Sequence, residues 1–364
     1  MNRNVLSRRV LAGVALAALA LAGCGSNDDD GGSTGSGTDS TAGASDYASL
    51  SGDLKGGGAS FPNAFYTEAI AEFKGVASKL NVTYNSVGSG QGKKDFGANL
   101  TDFAGTDSTV KDTDGVAAGS FLYVPTVAAP ITVSYNLSGV DKLQLSPDTL
   151  AKIFQTDIKK WNDAAIVADN PGVTLPDKAI TVAHRADGSG TTNNFTKYLK
   201  AAAPDVWKLD SGDTVNWPAS TQGAQKNTGV AQLIKQADGG IGYVDFSDAK
   251  ESGLTFAAIK NKDGQYVAAS LDGATAALEG ATIKEDLTYD PLNAAGATTY
   301  PITAPTYILV RTSYTDAATK AAVKGFVKYI LSEGQTLAPR WTTRRCRTRS
   351  RRRHSLSSTR SSDL

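Results

Sequence analysis

Residues His184 to Phe195, HRADGSGTTNNF, hold one guanidinium (Arg185), one carboxylate (Asp187), two glycines and three hydroxyls within twelve positions. Such a donor-rich run suits an anion, and Asp187 in its middle requires an explanation. Three more segments share the design: GGGASFP (Gly56 to Pro62), SVGSGQGKKDF (Ser86 to Phe96) and DFAGTDS (Asp102 to Ser108). In three of the four, a turn rich in glycine and hydroxyls runs into a helical pattern. The first N–H groups of a helix have no internal partners, and the helix dipole makes that end positive. Glycine lets a backbone approach a ligand closely, and Ser or Thr adds a side-chain donor. Such an end can bind a phosphate or carboxylate without help from net charge. A Ser before a helix also reads as an ordinary N-cap, so the signal lies in the recurrence.

Several chemistries are excluded. GxxxxGK[ST] is absent: Lys93 and Lys94 follow GSGQG, but no Ser or Thr comes next, and GSGQG is not GxGxxG. GxSxG is not formed around Ser189, and no second titratable partner completes a triad there. His184 lies beside Arg185 on a strand pattern and faces away from it, which suits a structural role. With two histidines (His184, His354), two cysteines (Cys24, Cys346) and no CxxC or HExxH, neither a metal nor a cofactor is expected.

The formal charge of +1 conceals an asymmetry. The first 23 residues hold three arginines and no acid, and the 25 from Arg340 hold nine arginines and one Asp; without these ends, 37 basic and 36 acidic residues become 25 and 35. The body is therefore negative, and long-range attraction will not draw an anion to it. Any anion site must work through local donors.

The elements that must position these turns read as α/β with mostly parallel strands. LNVTYNSV, APITVSYNL, AITVAHR and TYILVRT have strand composition. NAFYTEAIAEFKG puts Phe65, Ala69 and Phe73 on one helical face; PDTLAKIF, TTNNFTKYLKAA and TDAATKAAVKGFVKYILS are further helices. Ahead of them, Arg8 and Arg9 precede VLAGVALAALALAG, a signal-peptide core too short to span a bilayer (residues 1–23). It ends in LAGC, which resembles a bacterial lipobox with Cys24 as the acylated first mature residue. Residues 24–48 form a flexible Gly/Ser/Asp tether. Residues 340–364 form an arginine-rich tail, expected to be disordered and consistent with a shifted reading frame.

In their order, GASFP, GSG, DFAGTD and RADGSGT resemble the extracytoplasmic phosphate-binding protein of the bacterial phosphate-specific ABC importer. FLYVPTVAAPITVSYN, IKKWNDAAI, VNWPAS, GGIGYVDF and YPITAPTYIL support the likeness, which runs from about Ser49 to Pro339. The resemblance implies a type II periplasmic-binding-protein fold: mixed to mostly parallel α/β lobes, 49–126 with 301–339 and 127–300, crossing near Pro125 to Ala129 and near Tyr300. It implies a phosphate site of Ser60, the Phe61 N–H, Ser89, Asp107, Arg185, Asp187, Ser189, Gly190 and Thr191. Arg185 is then the cation, Asp187 its holder, and Asp107 the acceptor for a proton on the ligand. The implied partners are inorganic phosphate, membrane permease subunits of the importer, and the outer face of the cytoplasmic membrane through lipid on Cys24. A monomer, no nucleic acid and no enzymatic step are expected. FAGTD departs from the family's common FGASD but keeps Asp107 in place. The arginine-rich tail replaces the family's closing segment and final helix. Rival readings are an exported serine hydrolase of phosphate esters, a binder of another oxyanion such as sulfate, and a nucleic-acid binder using the basic tail.

Overall fold

The computed structural model describes residues 47–341 and 344–345. The signal-like run, Cys24, the tether through residue 46 and most of the arginine-rich tail lie outside these. No helix among the described residues is long and apolar enough to cross a membrane.

The chain opens with β1 (Gly52–Gly58), α1 (Asn63–Val76), β2 (Leu80–Ser86), α2 (Ser89–Gly97) and β3 (Phe103–Thr106), and β1 pairs in parallel with both β2 and β3. A long strand, β4 (Phe121–Asn136), then leads to α3 (Pro147–Phe154), β5 (Thr181–Arg185), α4 (Gly190–Ala202), β6 (Gln222–Ala224), α5 (Lys226–Gln236) and β7 (Gly240–Asp245). The chain returns through β8 (Thr303–Arg311) into α6 (Ala317–Leu331). The strand order is β2-β1-β3-β8-β4-β7-β5-β6. The expected alternation is present and the sheet is mixed, as the resemblance implied: the three central pairings, β3/β8, β8/β4 and β4/β7, are antiparallel. The cause is topological. β4 carries the chain out of one parallel unit and β8 brings it back, so the two run in opposite directions.

Two main cores flank this centre. One holds Phe65, Tyr66, Ala69 and Phe73 of α1 with Val124, Val127, Ile308, Val310 and Phe326. The other holds Ala129 to Tyr135 of β4, Phe154, Phe195, Tyr243, Ile302 and Ala304. The chain thus changes core between Val127 and Ala129 on β4, and between Ala304 and Ile308 on β8, a few residues beyond Tyr300. β8 has a bulge between Pro305 and Tyr307 at this crossing, and Pro125 and Pro130 of β4, which donate no ladder bond, bracket the other. Loosened pairing at both crossings leaves room for a bend.

Of the arginine-rich tail, only residues 340, 341, 344 and 345 are among the described ones, and the expectation of disorder for the rest lies outside them. A turn, Ala338–Trp341, continues the chain, and Arg344–Arg345 pair antiparallel with Val127 and Ala128. The reason is an open edge: β8 covers one side of β4 here, and β7 serves the other side only from Ile131 onward. Unpaired strand groups are a template for any passing backbone. Leu337 and Ala338 join the first core, and Gln335 donates to Thr126 O at 3.2 Å.

Candidate functional site

Three helix N-termini meet between the two cores. α1 starts after the turn Ser60–Pro62, and its cap position, Pro62, offers its N–H groups no side-chain acceptor. α2 starts at Ser89 after Gly88, whose φ of 91° needs glycine and which likewise has no capping side chain. α4 differs: Ser189 is a true N-cap, its Oγ accepting from Thr192 N at 3.1 Å. Its O–H remains available as a donor. The aromatic stack of Phe195 on Tyr243, 4.5 Å between ring centroids, fixes α4 against β7.

The two sides touch directly. Gly90 N donates to Gly188 O at 2.9 Å, and Asn194 Nδ2 to Asp107 O at 2.7 Å. Asn227 Nδ2 lies 3.2 Å from both Ser60 Oγ and Thr191 Oγ1 and ties the first side to the second. A Cβ on Gly190 would stand 2.6 Å from Asp107 Cβ and from Ser89 Oγ, and one on Gly88 would stand 2.5 Å from Asp187 Oδ2. The glycines of the two motifs therefore let the two faces approach one another, as well as any ligand. The structure is a closed form.

Arg185 ends β5 with 3% of its surface exposed. Its Nε donates to Asp187 Oδ1 at 2.7 Å and its Nη2 to Asp187 Oδ2, a bidentate clamp that leaves Nη1 for another acceptor. Burial raises the Asp187 carboxyl, but Arg185 and the Lys226 N–H, 3.1 Å away, outweigh it and hold the group below the ordinary carboxylate range. The Arg185 N–H donates to Tyr243 OH (3.1 Å), which pairs with Thr192 Oγ1 (2.6 Å) and links the cation to the first turn of α4.

Asp107 has the opposite environment. Its Oδ2 receives only a long bond from Ser89 Oγ (3.4 Å), and its buried Oδ1 has no partner. Burial pushes the carboxyl up to about 7; Thr306 and the charge of Arg185 pull it down, and Asp245 and Asp213 raise it further. The Thr306 hydroxyl, also 3.4 Å from Thr106 O, is the strongest of the groups that lower the Asp107 carboxyl. A desolvated carboxylate oxygen without a donor is costly, and such orphans mark sites that await a ligand.

The PBP superfamily domain model matches residues 32–334. The phosphate-binding protein PstS of Xylella fastidiosa (strain 9a5c) is 36% identical over 290 residues, 78% of this chain and 79% of its own. PstS 3 of Mycobacterium leprae (strain TN) is 35% identical over 329 residues, 86% of this chain and 88% of its own. The chain belongs to the PBP superfamily and, within it, to the family of phosphate-binding proteins PstS. A high-affinity periplasmic phosphate-binding protein solved with phosphate shares its fold, with a TM-score of 0.71 and 21% identity over 84% of this chain and 94% of that one.

In this PstS-family chain, Ser60, Ser89, Asp107, Arg185, Asp187, Ser189, Gly190 and Thr191 converge on one buried region, and the Phe61 N–H lies in the turn before α1. The Phe61 ring crosses over to pack in the second core, pinning that turn to the far side. His184 stacks on Trp217 at 5.0 Å, and its Nδ1 faces Arg185 O (2.9 Å), away from Ser189. Sequence reasoning missed Asn227, Asn194 and Tyr243. Asn227 is buried with its Oδ1 unpartnered, yet QKNTG carries no pattern that singles it out. Lys93, which with Lys94 falls short of a nucleotide-loop pattern, is wholly buried.

Proposed function

We propose that this chain binds inorganic phosphate outside the cytoplasmic membrane and delivers it to the permease of an ABC-type importer. The observation that carries the reading is the pairing of opposites in one buried site. Helix N-termini and Arg185 offer donors, while Asp107 offers a buried oxygen that only a donor can satisfy. Phosphate near neutral pH is an oxyanion that still bears a proton, so it answers both demands. Sulfate has no proton and would set lone pair against lone pair at Asp107, a mismatch of several kcal/mol (~2–7).

In this reading Ser60, Ser89, Ser189 and Thr191 donate hydroxyls. The Phe61, Ser89, Gly190 and Thr191 N–H groups act as helix-end donors. Arg185 supplies the charge-assisted bond, and Asp187 keeps it in place. Lobes 49–126 with 301–339 and 127–300 close by bending where β4 and β8 change core, and the closed form is what the permease reads. PstS relatives carry a binding name, and the carboxylate beside Ser89, Asp107, reaches that hydroxyl only at 3.4 Å and serves the ligand in this reading, which supports delivery without catalysis. A lipid on Cys24 would tether a monomer at the outer face of the cytoplasmic membrane.

Titration calorimetry at pH 8 with phosphate and with sulfate tests the proposal. Phosphate is expected to bind and sulfate to give no heat, while Asp107→Asn admits sulfate. Wild-type protein that binds both anions equally would remove the role assigned to Asp107.

A further inference from the structure

One buried cation lies outside the phosphate shell. Lys93, on α2, has a fully buried side chain. Its Nζ is 2.9 Å from Asp114 Oδ2, 2.9 Å from Asp213 Oδ2, 3.2 Å from Ser108 Oγ and 3.2 Å from Thr109 O. Asp114, Ser108 and Thr109 belong to the same side as α2. Asp213 belongs to the opposite side, in the loop after α4. This is therefore an ion pair across the cleft.

Its connections run to both halves of the phosphate site. Asp213 Oδ1 accepts from Asn193 Nδ2 at 2.9 Å, and Asp213 O accepts from Ser189 N at 2.8 Å. Asp213 thus holds the capping turn of α4. Ser108, beside Asp107, donates to Asp213 Oδ2 at 3.1 Å. A cavity of about 740 Å³, lined by Asp114, Asp187, Asp213, Lys94, Lys111 and Lys226 among others, adjoins the pair.

We infer that Lys93 and Asp213 form a latch that stabilises the closed state and sets the rate of phosphate release, without either residue touching phosphate. The inference rests on the phosphate reading only for its ligand. Opening separates Lys93 from Asp213, but Lys93 keeps Asp114 and Asp213 keeps Asn193. Neither charge is then left alone, so the latch can open reversibly. A buried pair broken by removing one partner costs much more than a surface pair. The contact exists only when the sides meet, so its loss acts on dissociation and not on encounter.

The test is stopped-flow phosphate binding with Asp213→Asn, Lys93→Met and the double variant, together with small-angle scattering of each ligand-free protein. Asp213→Asn, which keeps its shape and its bond to Asn193, is the variant least exposed to misfolding. Each single variant is expected to raise the dissociation rate about tenfold with an association rate within about twofold of wild type. The double variant should be no faster than the faster single one, because both remove the same contact. Asp114→Asn, which removes a partner present in both states, should lower thermal stability without that rise. The ligand-free radius of gyration should increase in Asp213→Asn. Dissociation rates that add in the double variant, or rise equally in Asp114→Asn, overturn the latch. A wild type that ignores phosphate removes the phosphate reading instead, and an unchanged radius in Asp213→Asn then overturns the latch as well.

Discussion

Asp107 and Arg185 divide the work at the site. The ordinary Asp value is 3.8, and burial, the largest cause, raises it to about 7 here. Between those values the folded, ligand-free protein holds a proton that the unfolded chain has lost. The stability associated with the neutral carboxyl is therefore complete below about pH 4 and is lost as pH rises through 7. Relative to Asp107→Asn, ligand-free wild type should be comparable near pH 4 and weaker at pH 8, by up to about 4 kcal/mol. Urea unfolding of both proteins at the two pH values measures this, and a gap that does not change with pH contradicts it. In the proposed reading, phosphate would offset the penalty by giving Oδ1 a donor. Arg185→Ala removes the charge-assisted donor and is expected to weaken phosphate binding tenfold or more, roughly 1.5 kcal/mol and upward. Calorimetry showing unchanged affinity rules out its assigned place.

At the level of elements, closure depends on what the glycines omit. Gly190 opens α4 with its Cα facing Asp107 and Ser89, and its φ lies outside the left-handed range. Alanine is therefore compatible with a helical backbone but meets Asp107 and Ser89 of the opposite side. Gly190→Ala should weaken phosphate binding about ten- to hundredfold, from an overpacking cost of roughly 1–3 kcal/mol, while the melting temperature without ligand changes little. A large loss of thermal stability with intact affinity would place the clash elsewhere. The glycine- and hydroxyl-rich turns were legible in the sequence because helix starts have local chemistry, and so was the apolar face of α1. The partners across the cleft were not. Nothing near Lys93 in GSGQGKKDF indicates that it is buried, because its counter-charge Asp213 arrives from another element. The antiparallel centre was hidden for the same reason: strand direction in a sheet follows from how β4 and β8 thread between the cores.

Across the whole molecule, charge and function pull in opposite directions. A body with 25 basic and 35 acidic residues repels the anion it is proposed to bind. Its answer is enclosure. Arg185, Asp107 and Lys93 are each at most 3% exposed, and each meets its partners inside the closed form. Buried interactions are screened far less than surface ones, whereas steering by a surface field fades once the Debye length falls below about 10 Å. The two mechanisms therefore predict different salt dependence. Affinity set by enclosed dipoles and one clamped guanidinium should change less than about threefold between roughly 0.05 and 0.5 M sodium chloride. Affinity drawn from the exposed lysines at the cavity mouth, Lys94, Lys111 and Lys226, should fall by tenfold or more over the same range. Phosphate titrations across that series decide between them, and a steep decline would move the source of binding energy from the interior of the cleft to its rim.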